Sequence, residues 1–430
     1  MKNHLIIWID QGKGIVDIPF WGDLIRKDNL KADKFYPEIV SVFKKHKVPV
    51  LYSKEYKPKL QEWSADEVGS GLDRVFRVIL QEDRKFPPEL VNDISLVPYV
   101  KKVKPGEIGV ADIPTRISEA QALRKFDPSS LIFLKEAHTF STGNASVKIA
   151  VLDTGVDHTH AEISGALLPG KDFVDIIDGA DKFIGDYLGY DSDPADDVGH
   201  GTHVCGILTA KGLKMGVGVV PSCKVIPVRV LGALNKGDSV VGAGLIDNIN
   251  TGIKWAVDQG ADVINMSLGI KHEGGGLPHE EVIKYALVKG VTIVAASGND
   301  GTRDLYYPGA LPGVIAVGAV DMNDQIAGFS TYGAHVSFVA PGAGIISSYP
   351  GNKYSMSSGT SQASPYVAGA IALLKSVALK AGRKLKDNQV KYILKHTSDR
   401  LNGQFKDVKS GYGRINLLDA IKLLKYKLSI

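Results

Sequence analysis

From Val147 onward the chain repeats one pattern: a short, unbroken apolar run, a turn, then a stretch with helical spacing. The runs Val147–Leu152, Lys224–Val230, Asp262–Met266, Thr292–Ala296 and Val314–Val320 have strand length. His200–Leu208, Gly242–Gln259, Glu280–Lys289 and Pro365–Leu379 read as helices around them. Strands that are apolar at nearly every position are buried on both faces, and helical crossovers keep them parallel. The pattern therefore predicts an α/β fold, a doubly wound and mostly parallel sheet with helices on both faces. In such sheets reactive groups gather beyond the carboxyl ends of the strands.

The first hundred residues read differently. His4–Ile9, Val48–Tyr52, Val75–Leu80 and Tyr99–Val103 are strand-like, and Pro37–Lys45 and Pro87–Leu96 are helix-like. The order β-α-β-β-α-β predicts a small α+β domain, an antiparallel sheet with helices on one face. No Ser, His and Asp there are placed to act together. Residues 1–105 are thus expected to form one domain, 106–116 a linker and 117–430 a second, larger domain.

Composition excludes several classes. The net charge is +4, and Lys and Arg cluster only weakly, which argues against nucleic-acid binding. No apolar run approaches membrane-spanning length. Leu5–Ile9 ends at Asp10, too short for the apolar core of a signal peptide. Two cysteines, Cys205 and Cys223, do not make a disulfide framework.

Four stretches carry chemistry. Asp153 directly follows the strand Val147–Leu152, where a turn or cap residue would also fit. His200 opens a helix in Gly199-His-Gly-Thr-His-Val-Cys-Gly206, with His203 one turn on. A zinc reading of that pair lacks the acidic base of the H-E-x-x-H motif. Asn299 follows a strand in Ser297-Gly-Asn299, so its amide can aim a donor past the strand end, or simply make a turn. Ser361 lies in Ser358-Gly-Thr-Ser-Gln-Ala-Ser-Pro365. Proline has no N–H and is tolerated in a first helical turn, so Pro365 places Ser361 at a helix N-terminus. Unpaired N–H groups there favour negative charge beside a nucleophile, although an N-capping serine would look the same.

The chain order Asp, His, Ser and the local motifs coincide. Val151-Leu-Asp-Thr-Gly155, His200-Gly-Thr-His-Val204, Asn265-Met-Ser-Leu-Gly269, Ser297-Gly-Asn299 and Gly359-Thr-Ser-x-Ala-Ser-Pro365 together resemble the subtilisin-like serine proteases, from about Val147 to Leu418. The resemblance implies a serine endopeptidase in which Ser361 attacks a peptide carbonyl, His200 moves the proton and Asp153 orients the imidazole. Asn299 and the Ser361 N–H would hold the oxyanion. Ser267, Leu268 and Gly269 would pair with an extended protein or peptide substrate. The first domain resembles the family's inhibitory propeptide, which implies a zymogen that cuts itself within Gly106–Arg116 and a likeness to secreted enzymes. A cytoplasmic processing protease and an inactive binding protein of the same fold are the alternatives.

The chemistry needs no cofactor and no catalytic metal. The family often binds structural calcium after the histidine helix, but here Thr209–Val217 lacks a carboxylate or carboxamide and carries Lys211 and Lys214. Asp186, Asp191, Asp193, Asp196 and Asp197 form an acidic cluster that could take calcium instead or merely be solvated. We expect a monomer that prefers an apolar or aromatic residue before the cut bond, with Gly274–Gly276, Tyr306, Tyr307 and Phe329 as cleft walls.

Overall fold

A computed structural model describes residues 3–14, 16–24, 35–82, 84–111, 127–175, 183–184, 190–236, 239–271 and 277–429. The N-terminal domain holds strands β1 (His4–Ile9), β2 (Val50–Lys54), β3 (Val75–Leu80) and β4 (Val100–Pro105), with helices α1 (Trp21–Leu24), α2 (Pro37–Lys45), α3 (Ala65–Ser70) and α4 (Pro88–Ser95). Its four strands pair antiparallel in the order β2-β3-β1-β4. Leu5, Ile7, Phe76, Val78 and Leu80 share one core with Ile39 and Phe43 of α2 and Leu90 and Ile94 of α4. That is the expected α+β layer for α2 and α4, whereas Trp21 and Leu24 of α1 pack with Ile79 on the sheet's other face. Helix α3, absent from the expected order, opens with a reciprocal capping box of Ser64 and Glu67.

After β4 the chain forms β5 (Ile108–Ala111), so the first part of the expected linker is a strand. The rest of it, residues 112–116, lies outside the described residues. The large domain follows with α5 (Leu134–His138), β6 (Lys148–Asp153), β7 (Lys171–Asp172), β8 (Phe183–Ile184), α6 (His200–Thr209), β9 (Lys224–Arg229), β10 (Gly232–Lys236) and β11 (Ser239–Leu245). Then come α7 (Ile246–Asp258), β12 (Val263–Met266), β13 (Ile270–Lys271), α8 (Glu280–Val288), β14 (Thr292–Ala296) and β15 (Tyr306–Tyr307). The chain ends with β16 (Ile315–Val320), β17 (Val336–Pro341), the hairpin β18 (Ile345–Tyr349) and β19 (Lys353–Ser357), α9 (Thr360–Lys380), α10 (Asp387–Thr397) and α11 (Leu417–Leu428).

The central sheet has seven strands in the order β17-β16-β14-β12-β6-β9-β7, and every pairing in it is parallel. Its side chains alternate between two cores, as the two-residue strand period requires. Ile149, Val151, Val225, Val263, Val294 and Val317 face α6 and α9, whereas Ala150, Leu152, Ile226, Val228, Ile264 and Ile293 face α7 and α8. Each fully buried Val, Leu or Ile contributes about 1.5–3 kcal/mol. The doubly wound reading is thus the fold observed.

Two elements depart from the expected boundaries. Residues 242–245, read as the start of a helix, belong to β11, which is held between β10 and β5. The helical spacing proper begins at Ile246 and runs through Ile249, Ile253 and Val257. Helix α9 begins at Thr360, so Pro365 lies in its second turn rather than its first. Proline there leaves the carbonyl four residues back without its helical donor. That carbonyl belongs to Ser361, and Ser267 Oγ donates to it at 2.8 Å.

The N-terminal sheet lies with its second face against α7 and α8. Ile6, Tyr56, Leu72 and Val75 join the core beneath those helices. The seam is polar and buried. His4 Nε2–H donates to Asp247 at 2.9 Å, Arg77 reaches Asn248 Oδ1 at 2.9 Å and Lys254 pairs with Glu67 at 2.8 Å. Burial above all holds the His4 imidazole down, to a pKa of about 4, so it sits neutral against the carboxylate.

Candidate active site

Three adjacent parallel strands, β6, β12 and β14, deliver the site from their carboxyl ends. Asp153 is the last residue of β6. In register, Asn265 stands beside Val151 and Met266 beside Ala295. Ser267 directly follows the last residue of β12. Asn299 follows β14 by the turn Ser297-Gly298, where Gly298 has φ +112°. His200 is the first residue of α6 and Ser361 the second of α9, and these helices pack on each other.

The His200 Nδ1–H donates to Asp153 Oδ1 at 2.7 Å, with both side chains buried. This contact fixes the tautomer and leaves Nε2 as the second nitrogen, buried and with no hydrogen-bond partner among the described residues. Burial alone would lower the imidazole pKa. The Asp153 charge and hydrogen bond, with the Asp196 charge behind them, outweigh it and hold the pKa above its ordinary value. Ser361 Oγ–H donates to the Ser267 carbonyl at 3.0 Å, so its hydroxyl rests against the end of β12. Asn299 Oδ1 accepts from the Thr360 N–H at 2.8 Å and the Thr360 hydroxyl at 2.9 Å. With its oxygen so engaged, the amide keeps its N–H₂ end as a donor for the site.

Asp196 is a residue whose role the sequence did not suggest. Its Oδ1 accepts from Thr154 Oγ1 at 2.8 Å and from the Val198 and Gly199 N–H groups at 3.1 and 2.7 Å. Its Oδ2 accepts from the Thr202 N–H at 2.9 Å and the Thr202 hydroxyl at 2.6 Å. One carboxylate therefore caps α6 and ties it to the residue after Asp153. The Thr154 hydroxyl also accepts the Gly201 N–H at 3.0 Å. Gly201 itself is an approach point, since a Cβ there would stand 2.1 Å from the Gly155 carbonyl oxygen.

The neighbouring candidates settle elsewhere. His203 turns from His200 to the β18–β19 hairpin, where Nε2 lies 3.2 Å from the Ile345 and Ser355 carbonyls. Cys205 is fully buried, and burial pushes its thiol well up, which makes it a core residue. Of the acidic cluster, Asp196 is spent on the cap, Asp191 Oδ1 accepts from the Asp193 N–H at 2.7 Å and Asp197 accepts from Arg229 at 3.2 Å. Asp186 lies outside the described residues, as do Gly274–Gly276.

The loop after α6 is folded around a carboxylate. Its Gly212, Leu213 and Lys214 N–H groups turn onto the buried Glu162 carboxylate at 2.9, 3.0 and 2.7 Å. A hard cation needs converging oxygens, and this loop presents donors to an anion. Burial pushes the Glu162 carboxyl up, but the N–H groups outweigh that and hold its pKa below the usual range. Among the described residues no group of three His, Cys, Asp or Glu side chains is arranged to hold a metal ion, and no helix is long and apolar enough to cross a membrane.

The chain also has clear relatives. Residues 144–413 match the profile of the subtilase family. The thermophilic serine proteinase of Bacillus sp. strain AK1 is 41% identical over 281 residues, 65% of this chain and 62% of that protein. The chain thus spans under two thirds of that relative. The major intracellular serine protease of Bacillus subtilis is 37% identical over 61% of this chain and 80% of its own length. Thermitase of Thermoactinomyces vulgaris is 35% identical over 70% and 96%. The solved structure of the prenylagaramide maturation protease PagA superposes with a TM-score of 0.54 at 30% identity, covering 68% of this chain and 98% of that one. By profile, relatives and fold together, the chain belongs to the subtilase family of subtilisin-like serine proteases.

Proposed function

We propose that the chain is a serine endopeptidase that works through Asp153, His200 and Ser361 and is made as a self-processing zymogen. The observation that carries this is the buried 2.7 Å Asp153–His200 bond on one strand end, with Ser361 anchored to the next. In the reaction, rotation of the Ser361 side chain carries its hydroxyl from the Ser267 carbonyl to His200 Nε2. The oxygen attacks the peptide carbonyl carbon as Nε2 takes its proton, and Asp153 stabilises the imidazolium that forms. The Asn299 N–H₂ and the Ser361 N–H hold the oxyanion at the α9 N-terminus. His200 then protonates the leaving amine, and water repeats the cycle on the acyl-enzyme. Ser267, Leu268 and Gly269 supply the backbone with which an extended substrate pairs. The chemistry needs no cofactor, and structural calcium is left open.

The N-terminal domain is read as an inhibitory prodomain. Its seam on α7 and α8 and the run of β5 along β11, Leu245↔Ile108 to Gly242↔Ala111, support a tail threaded toward the cleft. Residues 106–116 would contain the cut, after which 117–430 acts alone as a monomer on protein or peptide substrates. An exported enzyme fits a prodomain of this size, and a cytoplasmic processing protease is the alternative. Intact mass and N-terminal sequencing of wild type and Ser361→Ala test the proposal. Wild type is expected to start within 106–116 and the variant to remain whole. Two full-length proteins, with wild type still digesting casein, would overturn the zymogen reading.

A further inference from the structure

A substrate paired along Ser267–Gly269, with its reacting carbonyl beside Asn299, sends the side chain before the cut bond into one gap. On that reading its walls would be the stretches 267–269 and 297–299, and the Tyr306 side chain lies against both, at Gly269 and at Gly298. Both carry a glycine facing inward, Gly269 and Gly298, which would suit a deep pocket. The gap is not open. The Tyr306 ring stands in it, one edge against each glycine: a Cβ at Gly269 would lie 3.1 Å from Tyr306 Cδ1, and one at Gly298 would lie 2.4 Å from Cδ2.

The ring is held at both ends. Its backbone pairs with Lys271 across β13 and β15. Its hydroxyl donates to Asp300 Oδ2 at 2.5 Å, and Asp300 in turn pairs with Lys271. Lys271 also binds Asp304 at 2.7 Å. Only 7% of Tyr306 is exposed, so the ring is a packed wall and not a loose flap. A large substrate side chain would have to displace an aromatic ring and its hydrogen bond to enter.

Resting on the protease reading above, we propose that Tyr306 closes this pocket and restricts the enzyme to bonds preceded by a small residue: glycine, alanine or serine. This narrows the apolar or aromatic preference expected from the sequence to small side chains. Tyr306 is a specificity-determining residue whose size, rather than its hydroxyl, sets the limit.

The test is a cleavage profile on a mixed peptide library read by mass spectrometry, with kcat/KM for matched Ala and Phe substrates. Wild type should favour Ala by roughly 100-fold, the scale on which pockets discriminate by size. Tyr306→Ala should raise kcat/KM for Phe at least tenfold, and Tyr306→Phe should keep the wild-type profile. Wild type that cuts equally well after Phe, Tyr or Leu overturns the proposal. So does a Tyr306→Ala enzyme that stays confined to small residues. Should that variant not fold, the wild-type profile alone decides. Failure of the protease reading looks different, because wild type then cleaves nothing that Ser361→Ala leaves intact.

Discussion

Gly201→Ala tests whether the contact between the histidine helix and the aspartate loop is as tight as described. The new Cβ would stand 2.1 Å from the Gly155 carbonyl oxygen and 3.1 Å from Asp153 Cβ. Ordinary contact begins near 3.4 Å, so α6 and the 153–155 turn must part by about 1.3 Å. Added to the Asp153–His200 bond, now 2.7 Å, such a shift carries it beyond hydrogen-bonding range. Overpacking of this kind costs about 1–3 kcal/mol of stability. A misplacement near 1 Å in a catalytic group costs on the order of 100-fold in rate. The assay is steady-state kinetics on a chromogenic peptide with active-site titration, alongside thermal unfolding of the same samples. We expect kcat to fall about 100-fold with KM little changed, because residues 267–269 are untouched. A variant with kcat within threefold of wild type and an unaltered melting temperature would refute the packing argument.

Other consequences follow from single side chains. Asp153 and Asp196 face His200 with negative charge and His203 lies beside it, so the acid limb of kcat/KM should fall above pH 6.5, the ordinary histidine value. Asp196→Asn keeps a capping oxygen but removes a charge that favours imidazolium, so this limb should move to lower pH; an unmoved limb contradicts the electrostatic role. Glu162→Ala strips three N–H groups of their acceptor and should cost about 3 kcal/mol in unfolding, whereas excess EDTA should leave the wild-type melting temperature in place. An unchanged melting temperature in Glu162→Ala would show that Glu162 does not hold that loop. Arg77 is fully buried, donates twice to Glu55 at 2.7 Å and stacks over Trp21 at 4.1 Å. In the Ser361→Ala precursor, Arg77→Ala strands the Glu55 carboxylate and should cost about 3–5 kcal/mol, read as a lowered unfolding midpoint in urea. An unchanged midpoint would mean that the seam does not depend on it.

Local chemistry was the legible part. Asp153, His200, Asn299 and Ser361 sit at strand ends and helix starts, which apolar periodicity locates. The β11 strand was hidden because Val240-Val241-Gly-Ala-Gly244 earns its conformation from distant partners, β10 and β5, and not from its own pattern. Helix α3 is signalled locally, since Ser64-x-x-Glu67 before Gly71 is a capping pattern. Pro365 misled because the donor that rescues its helix, Ser267 Oγ, lies 94 positions away from Ser361. Asp196, Glu162 and Tyr306 act on backbone atoms or glycines brought close by the fold. An acidic cluster or a Tyr-Tyr pair names no such partner in advance.

The central claim is that Ser361 becomes a nucleophile because His200, oriented by Asp153, can take its proton. A fluorophosphonate reacts with such a serine alone, and peptide mass spectrometry of the labelled, processed protein locates the adduct. The account predicts one adduct per chain, on Ser361, with labelling lost in Ser361→Ala and slowed on the order of 1,000-fold or more in His200→Ala. An adduct on another residue, or undiminished labelling in His200→Ala, would contradict it.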